Sequence, residues 1–266
     1  MQYTLGFIGC GNMGGALVAS AVKSLPASEI AVCDYDQTKT ENYAKNYGVA
    51  VLSAEEIVKT CRFVVLGVKP QALAQTLAPI ADFLRARTDA VIITMAAGTP
   101  IANIRKLLNA EHFPIIRIMP NTPVALGEGM ILYTLSEVDE RNEQDFLRAF
   151  SKAGQFDEID ESILDAASAL SGCGPAFAYH FAQALAKGAY EQGVPQDKAD
   201  FYAAQILLGA AKMLMEYKNP ADLKTAVCSP GGTTLAGLKA MEENGFSDAT
   251  VAGVTAAYHR ALELQK

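Results

Sequence analysis

The sequence has no tryptophan, three histidines and five cysteines. His112, His180 and His259 lie far apart without metal-ligand spacing, so no metal site is expected and each reads as a structural or surface residue. Cys10, Cys33, Cys61, Cys173 and Cys228 are odd in number and form no C-x-x-C pair. That excludes a disulfide framework, fits a reducing cytoplasm and indicates no catalytic thiol. No apolar run reaches the ~18 residues of a membrane span. The start, "MQYTLGFIGCGNMGG", lacks the basic region of a signal peptide. Runs of Lys or Arg are missing too. With 19% charged residues and a formal net charge of −7, nucleic acid and membrane surfaces are not expected partners, whereas a local site for a small anion stays open.

What the chain does have is apolar bulk: half of its 266 residues, enough for a substantial core in one large domain or two ordinary ones. The first half alternates short β-rich runs with helical stretches. Strands are predicted at Tyr3 to Gly9, Ile30 to Asp34, Arg62 to Val68, Asp89 to Ala96 and Phe113 to Met119, with further ones at Met130 to Leu135 and Gly154 to Asp160. Helical periodicity lies between them, in "NMGGALVASAVKS", "QALAQTLAPIADFL" and "PIANIRKLLN". Strands apolar on both faces belong to a parallel sheet covered by helices on both sides, so the reading is an α/β, doubly wound Rossmann domain over residues 1–160.

From about Ser162 the chain turns Ala-rich and helical, and residues 161–266 read as a second, all-helical domain. Helices are expected in "ILDAASALS", "GPAFAYHFAQALAKGAYEQG", "QDKADFYAAQILLGAAKMLMEY", "NPADLKTAV", "TTLAGLKAMEENG" and "SDATVAGVTAAYHRALELQ". The helix from Pro175 to Gln192 is apolar or small on nearly every face, and such a helix must be buried. About a hundred residues of helix bury it poorly alone, so this half is expected to pack against a second copy.

Gly9-Cys10-Gly11-Asn12-Met13-Gly14 is G-x-G-x-x-G, closing a strand and opening a helix as a dinucleotide loop must. The first glycine permits the turn, the second lets a pyrophosphate approach the backbone, and the third lets helix and strand pack. Asp34 stands 20 residues beyond Gly14, where an acid can bond a ribose 2′-hydroxyl. Asp36 competes for that role, and Lys39 is the nearest cation. The reading leans to NADH over NADPH. Strand ends at Val68-Lys69-Pro70, Ala96-Ala97-Gly98 and Asn121 should carry the rest of the cofactor, with the Asn121 amide near the nicotinamide. Lys69 reads equally as a plain surface charge.

A second Gly-rich helix start, Ser229-Pro230-Gly231-Gly232-Thr233-Thr234, lies far from the first. Thr233 or Thr234 is expected to cap the helix. Successive N–H groups there would hold a carboxylate and form a substrate site facing the nicotinamide; the plainer alternative is an interhelical loop.

The motifs "GFIGCGNMGGAL", "GVKP", "AAG", "MPNTP", "SGCGPAF" and "SPGGTTLAGL" stand in the order and spacing of one family. The chain resembles pyrroline-5-carboxylate reductases over essentially its whole length. The resemblance implies a Rossmann domain, a helical dimerisation domain, and dimers that assemble further, often five to a ring, as a decamer. It also implies NADPH or NADH as cofactor and a substrate site needing parts of two subunits. The substrate carboxylate would lie on Gly232, Thr233 and Thr234, with Ser229 and Gly231 in the same turn and Thr234 beside the ring nitrogen. The chain departs from some members in reading "LSAEE" where they carry an Asn near the adenosine. Alternatives are a reductase of another cyclic imine or of a 2-oxo or 3-hydroxy acid, and a non-catalytic dinucleotide sensor. In 3-hydroxyacid dehydrogenases the catalytic lysine lies mid-helix, whereas Lys187 sits near the end of its helix.

Overall fold

The computed structural model describes residues 2–263. Two compact units divide the chain: one runs to Cys173 and takes in the chain again from Ala257, and the other is Gly174–Ala256.

In the first unit, eight strands form one sheet in the order β3-β2-β1-β4-β5-β6-β7-β8. They are β1 (Tyr3–Ile8), β2 (Ile30–Cys33), β3 (Ala50–Val51), β4 (Cys61–Leu66), β5 (Val91–Thr94), β6 (Ile115–Met119), β7 (Gly129–Ser136) and β8 (Gly154–Glu158). Every neighbouring pair is parallel except β6 and β7. Alternation along the strands divides the core between the two faces: Phe63 and Val65 of β4 join one apolar cluster, Val64 and Leu66 the other. Helices that cover these faces include α1 (Asn12–Ala21), α2 (Gln37–Tyr47), α3 (Ala54–Thr60), α6 (Ile101–Leu108) and α7 (Glu140–Ala149). The doubly wound class is therefore as read from sequence. Strand order reverses between β1 and β4, and this switch point is where an open α/β sheet binds ligands.

Three local readings change. The strand expected from Asp89 to Ala96 is only Val91–Thr94, because Asp89 bends the chain into it and the parallel pairing with β4 ends at Thr94. "QALAQTLAPIADFL" is not one helix but a 3₁₀ turn at Pro70–Ala72, then α4 (Leu73–Leu77) and α5 (Ala81–Arg85). Pro79 explains the break: it has no N–H to donate and its ring crowds the preceding turn. The two-residue β3 has too little pattern to be seen in sequence. The α8 helix (Glu161–Ser171) lies within the first unit and packs Leu164 on Met119 and Leu132 of the sheet.

The second unit holds α9 (Gly174–Glu191), α10 (Gln196–Tyr217), α11 (Pro220–Ala226), α12 (Thr233–Glu243) and the first part of α13 (Phe246–Glu263). The final helix was expected to reach Gln265, and its last two residues lie outside the described ones. The core of this unit is small: Ala186 of α9 against Ala199 and Ala203 of α10, with Leu185 and Val194 beside them. Within one chain α9 buries only Ala186. Tyr179, Phe201, Ile206, Met215 and Val251 are all largely exposed.

Candidate functional site

Glycine packing builds the end of β1. Gly9 has φ +96°, a conformation side-chain-bearing residues rarely adopt, and it turns the chain from β1 into α1. A Cβ on Gly14 would stand 2.2 Å from the Gly9 carbonyl oxygen, and one on Gly67, just past β4, 2.1 Å from the same atom. These contacts draw α1 and the ends of β1 and β4 together. Gly11 differs: a Cβ there meets nothing within 4 Å. No protein neighbour demands a glycine at Gly11, yet this residue lines a cleft of about 780 Å³. Gly11 also caps α1 without any side-chain hydrogen bond, so the first N–H groups of the helix stay open towards an anion. A bare backbone at a helix start, opening on a cleft across the switch point, fits the pyrophosphate of a dinucleotide.

The cleft brings together much of what the sequence singled out. Gly11–Met13 line one side and Gly67–Pro70 another, with Ala97 beyond them. Lys69 makes no ion pair among the described residues. Gly9, Cys10 and Gly14 lie behind the lining, and Ala96 is buried in the turn that precedes Gly98, whose φ is +66°. Asp34 is fixed beside the loop: the Cys10 N–H donates to its Oδ2 at 2.6 Å and the Asp36 N–H to its Oδ1 at 2.9 Å. Burial, with the Asp34 carboxylate second, pushes the Cys10 thiol up to about 12. That thiol is therefore neutral and closed to nucleophilic chemistry. Asn121 is also engaged internally. Its Nδ2 donates to the Ser171 carbonyl at 2.9 Å and its Oδ1 accepts from the Met130 N–H at 3.0 Å, so it ties the loop after β6 to β7 and α8.

Several cleft residues escaped the sequence reading: Met95, Ser168, Gly172 and Arg260. They arrive from the residue after β5, from α8 and its C-cap, and from the last turns of α13, and no local pattern announces them. The α8 helix is held by an ion triad centred on a buried arginine. Arg117 of β6, 1% exposed, donates to Glu161 Oε1 at 3.1 Å and to Asp165 Oδ1 at 2.7 Å. Glu161 Oε1 also accepts from the Ile101 N–H at the start of α6.

The second glycine turn starts α12. Gly231 has φ +71°, and the Gly232 N–H donates to the Ser229 carbonyl at 2.9 Å. The expected threonine cap is corrected: Gly232 is the N-cap, and Thr233 and Thr234 are the first two helical residues. Gly232 fits because a Cβ would press on Ser229 Oγ at 2.4 Å. No side chain caps the helix, so the first-turn N–H groups of Thr233 and Thr234 keep their capacity to donate. Lys187 is exposed on α9 and lies 3.7 Å from Glu191.

Sheet, switch-point cleft and bare glycine loop define a dinucleotide-binding protein of Rossmann architecture. Two family models match, one described as NADP oxidoreductase, coenzyme F420-dependent, over residues 4–98, and one as pyrroline-5-carboxylate reductase dimerisation over residues 161–264. Pyrroline-5-carboxylate reductase 3 of Danio rerio is 39% identical over 268 residues, covering 99% of this chain and 92% of its own. The pyrroline-5-carboxylate reductase of Escherichia coli strain K12 is 33% identical over the full length of both. Among solved structures, the Plasmodium falciparum pyrroline carboxylate reductase with NADP bound is similar with a TM-score of 0.89 at 27% identity, covering 99% of this chain and 98% of that one. The chain belongs to the pyrroline-5-carboxylate reductase family.

Proposed function

We propose that this chain reduces 1-pyrroline-5-carboxylate to L-proline with NADPH or NADH, the last step of proline biosynthesis. The observation that carries the reading is the end-to-end match to relatives of that name. Two bare glycine turns at helix starts, one for each reactant, agree with it.

The Gly9–Gly14 loop and the start of α1 hold the cofactor pyrophosphate, and Asp34 accepts from the ribose. Val68, Lys69, Pro70, Ala96, Ala97 and Gly98 shape the path to the nicotinamide. Asn121 acts on that path by fixing the loop after β6. When bound, the reduced cofactor supplies the hydride for the C=N bond, and the chain supplies orientation and charge. Ser229 and Gly231 shape the turn whose backbone at Gly232, Thr233 and Thr234 holds the substrate carboxylate, the open N–H donors being those of Thr233 and Thr234, and Thr234 hydrogen-bonds the ring nitrogen as the catalytic side chain. Fixing the reactants in this way removes much of the entropic barrier.

The work divides between a dinucleotide domain, residues 1–160, and a dimerisation and substrate domain, residues 161–266, of which 264–266 lie outside the described residues. The protein is a homo-oligomer, a dimer at least and a decamer in the fuller reading. Its setting is the reducing cytoplasm, in keeping with five free cysteines, and its partner is the small substrate rather than nucleic acid or membrane. Among the described residues no helix is long and apolar enough to cross a membrane.

The test is oxidation of NADH and NADPH, followed separately by absorbance, with purified protein and the imine. Imine-dependent oxidation is expected. Protein that binds the cofactors yet oxidises neither would move the reading to another imine or oxo acid, or to a sensor.

A further inference from the structure

We propose that this chain selects NADH over NADPH, and that Asp34 and Asp36 make the selection. The inference rests on the cofactor reading above and deepens it. The two cofactors differ only at the adenosine 2′ position, where NADPH carries a phosphate monoester of about −1.5 to −2 charge. The acid beside the loop is Asp34, whose Oδ2 accepts from the Cys10 N–H at 2.6 Å.

The carboxylate of Asp34 cannot swing away. Its two oxygens accept from the Cys10 and Asp36 N–H groups, and its side chain is 12% exposed. The lone pairs that remain suit a ribose hydroxyl donor and repel a phosphate. The start of α2 would ordinarily welcome that phosphate. Here the chain's own acids take the donors: Asp34 accepts from the Asp36 N–H, and Asp36 Oδ1 accepts from the Thr38 N–H at 3.1 Å. The cation at hand, Lys39, lines the cleft and is shared between both acids, its Nζ standing 3.9 Å from Asp34 and 4.0 Å from Asp36. Two carboxylates against one lysine leave the spot at a net −1 before any ligand arrives. Among the described residues no other cation pairs with either acid.

The test is calorimetric titration of the purified full chain with NADH and with NADPH at low salt, without imine. NADH is expected to bind at least about tenfold more tightly, a gap of about 1.4 kcal/mol. Raised salt should narrow the gap by screening the exposed part of the discrimination, that of Asp36 and Lys39. Asp36→Asn keeps the helix cap while removing a charge. It should shrink the gap at least about threefold by improving NADPH. Asp34→Asn should shrink it further while weakening NADH. Equal affinities in the unaltered chain, tighter NADPH, or a gap that neither variant changes would overturn the selection alone. Binding of neither nucleotide would overturn the cofactor reading and the inference with it.

Discussion

Gly11 and Gly14 share one loop, yet a methyl group added to each meets opposite surroundings. At Gly14 it would strike the Gly9 carbonyl at 2.2 Å, backbone against backbone, with no flexible atom to yield. Gly14→Ala should therefore cost about 2 kcal/mol or more, in the range of overpacked cores, and lower the melting temperature without any nucleotide present. At Gly11 the methyl enters open space, and the backbone angles there, φ −68° and ψ −163°, suit alanine. Gly11→Ala should melt within about 0.5 kcal/mol of the parent and bind dinucleotide much more weakly. Equal melting of both variants would contradict the assignment. Cys10 gives a pH prediction from the same loop. Its thiol titrates near 9 when unfolded and is held up to about 12 when folded, first by burial and then by Asp34. The unfolded chain loses this proton first, so the stability contribution is complete below about pH 9 and lost as pH rises from there towards 12. Cys10→Ala should flatten the fall of melting temperature above pH 9, measured beside the parent.

At the scale of elements, what the sequence discloses is what local pattern can encode. β1, β4 and β6 were legible because buried parallel strands are continuous apolar runs, and the cofactor loop because all its glycines lie within six residues. The break at Pro79 was legible in principle, since the proline stands in the run itself. Neither β3, with two residues, nor the antiparallel turn-back of β7 has such a signature. Least legible was the seating of α8. It depends on Arg117 meeting Glu161 and Asp165 more than forty residues away, and charged residues normally read as surface. Arg117 is 1% exposed and joins β6 to both carboxylates of α8, so Arg117→Met, which takes a cation from a buried ion pair, should destabilise the first unit by about 3–5 kcal/mol. It should also weaken dinucleotide binding, because Ser168 and Gly172 of this segment line the cleft. The start of α12 behaves differently. Thr234 is the second helical residue and not the cap, so Thr234→Ala should keep the helical circular dichroism and melting temperature while turnover falls. Unchanged steady-state kinetics would remove Thr234 from the mechanism.

For the whole molecule, the second unit poses a problem of surface. Its internal core is three alanines and their neighbours, while α10 alone presents Phe201, Ile206, Leu208 and Met215 to solvent in the single chain. Large exposed apolar side chains in this number point to a protein contact, and the match of residues 161–264 to a dimerisation model agrees with a contact between copies. The alanine-rich sequence already carried this feature, because a helix with apolar side chains all round has no face for water. The sequence did not tell which residues meet within a chain and which are left for a partner, since alanine and isoleucine are equally apolar. Ile206 decides between the two situations. It is 61% exposed in the single chain. If it stayed exposed in solution, Ile206→Glu would shift stability by no more than about 0.5 kcal/mol. Buried between copies, the same change would place an unpaired carboxylate in an apolar contact. The expected outcome is a fall in mass by light scattering, a lower melting temperature that rises with protein concentration, and reduced turnover from a dinucleotide-binding unit that is itself intact. Such a variant with the parent's mass and melting temperature would mean that α10 does not lie in the interface.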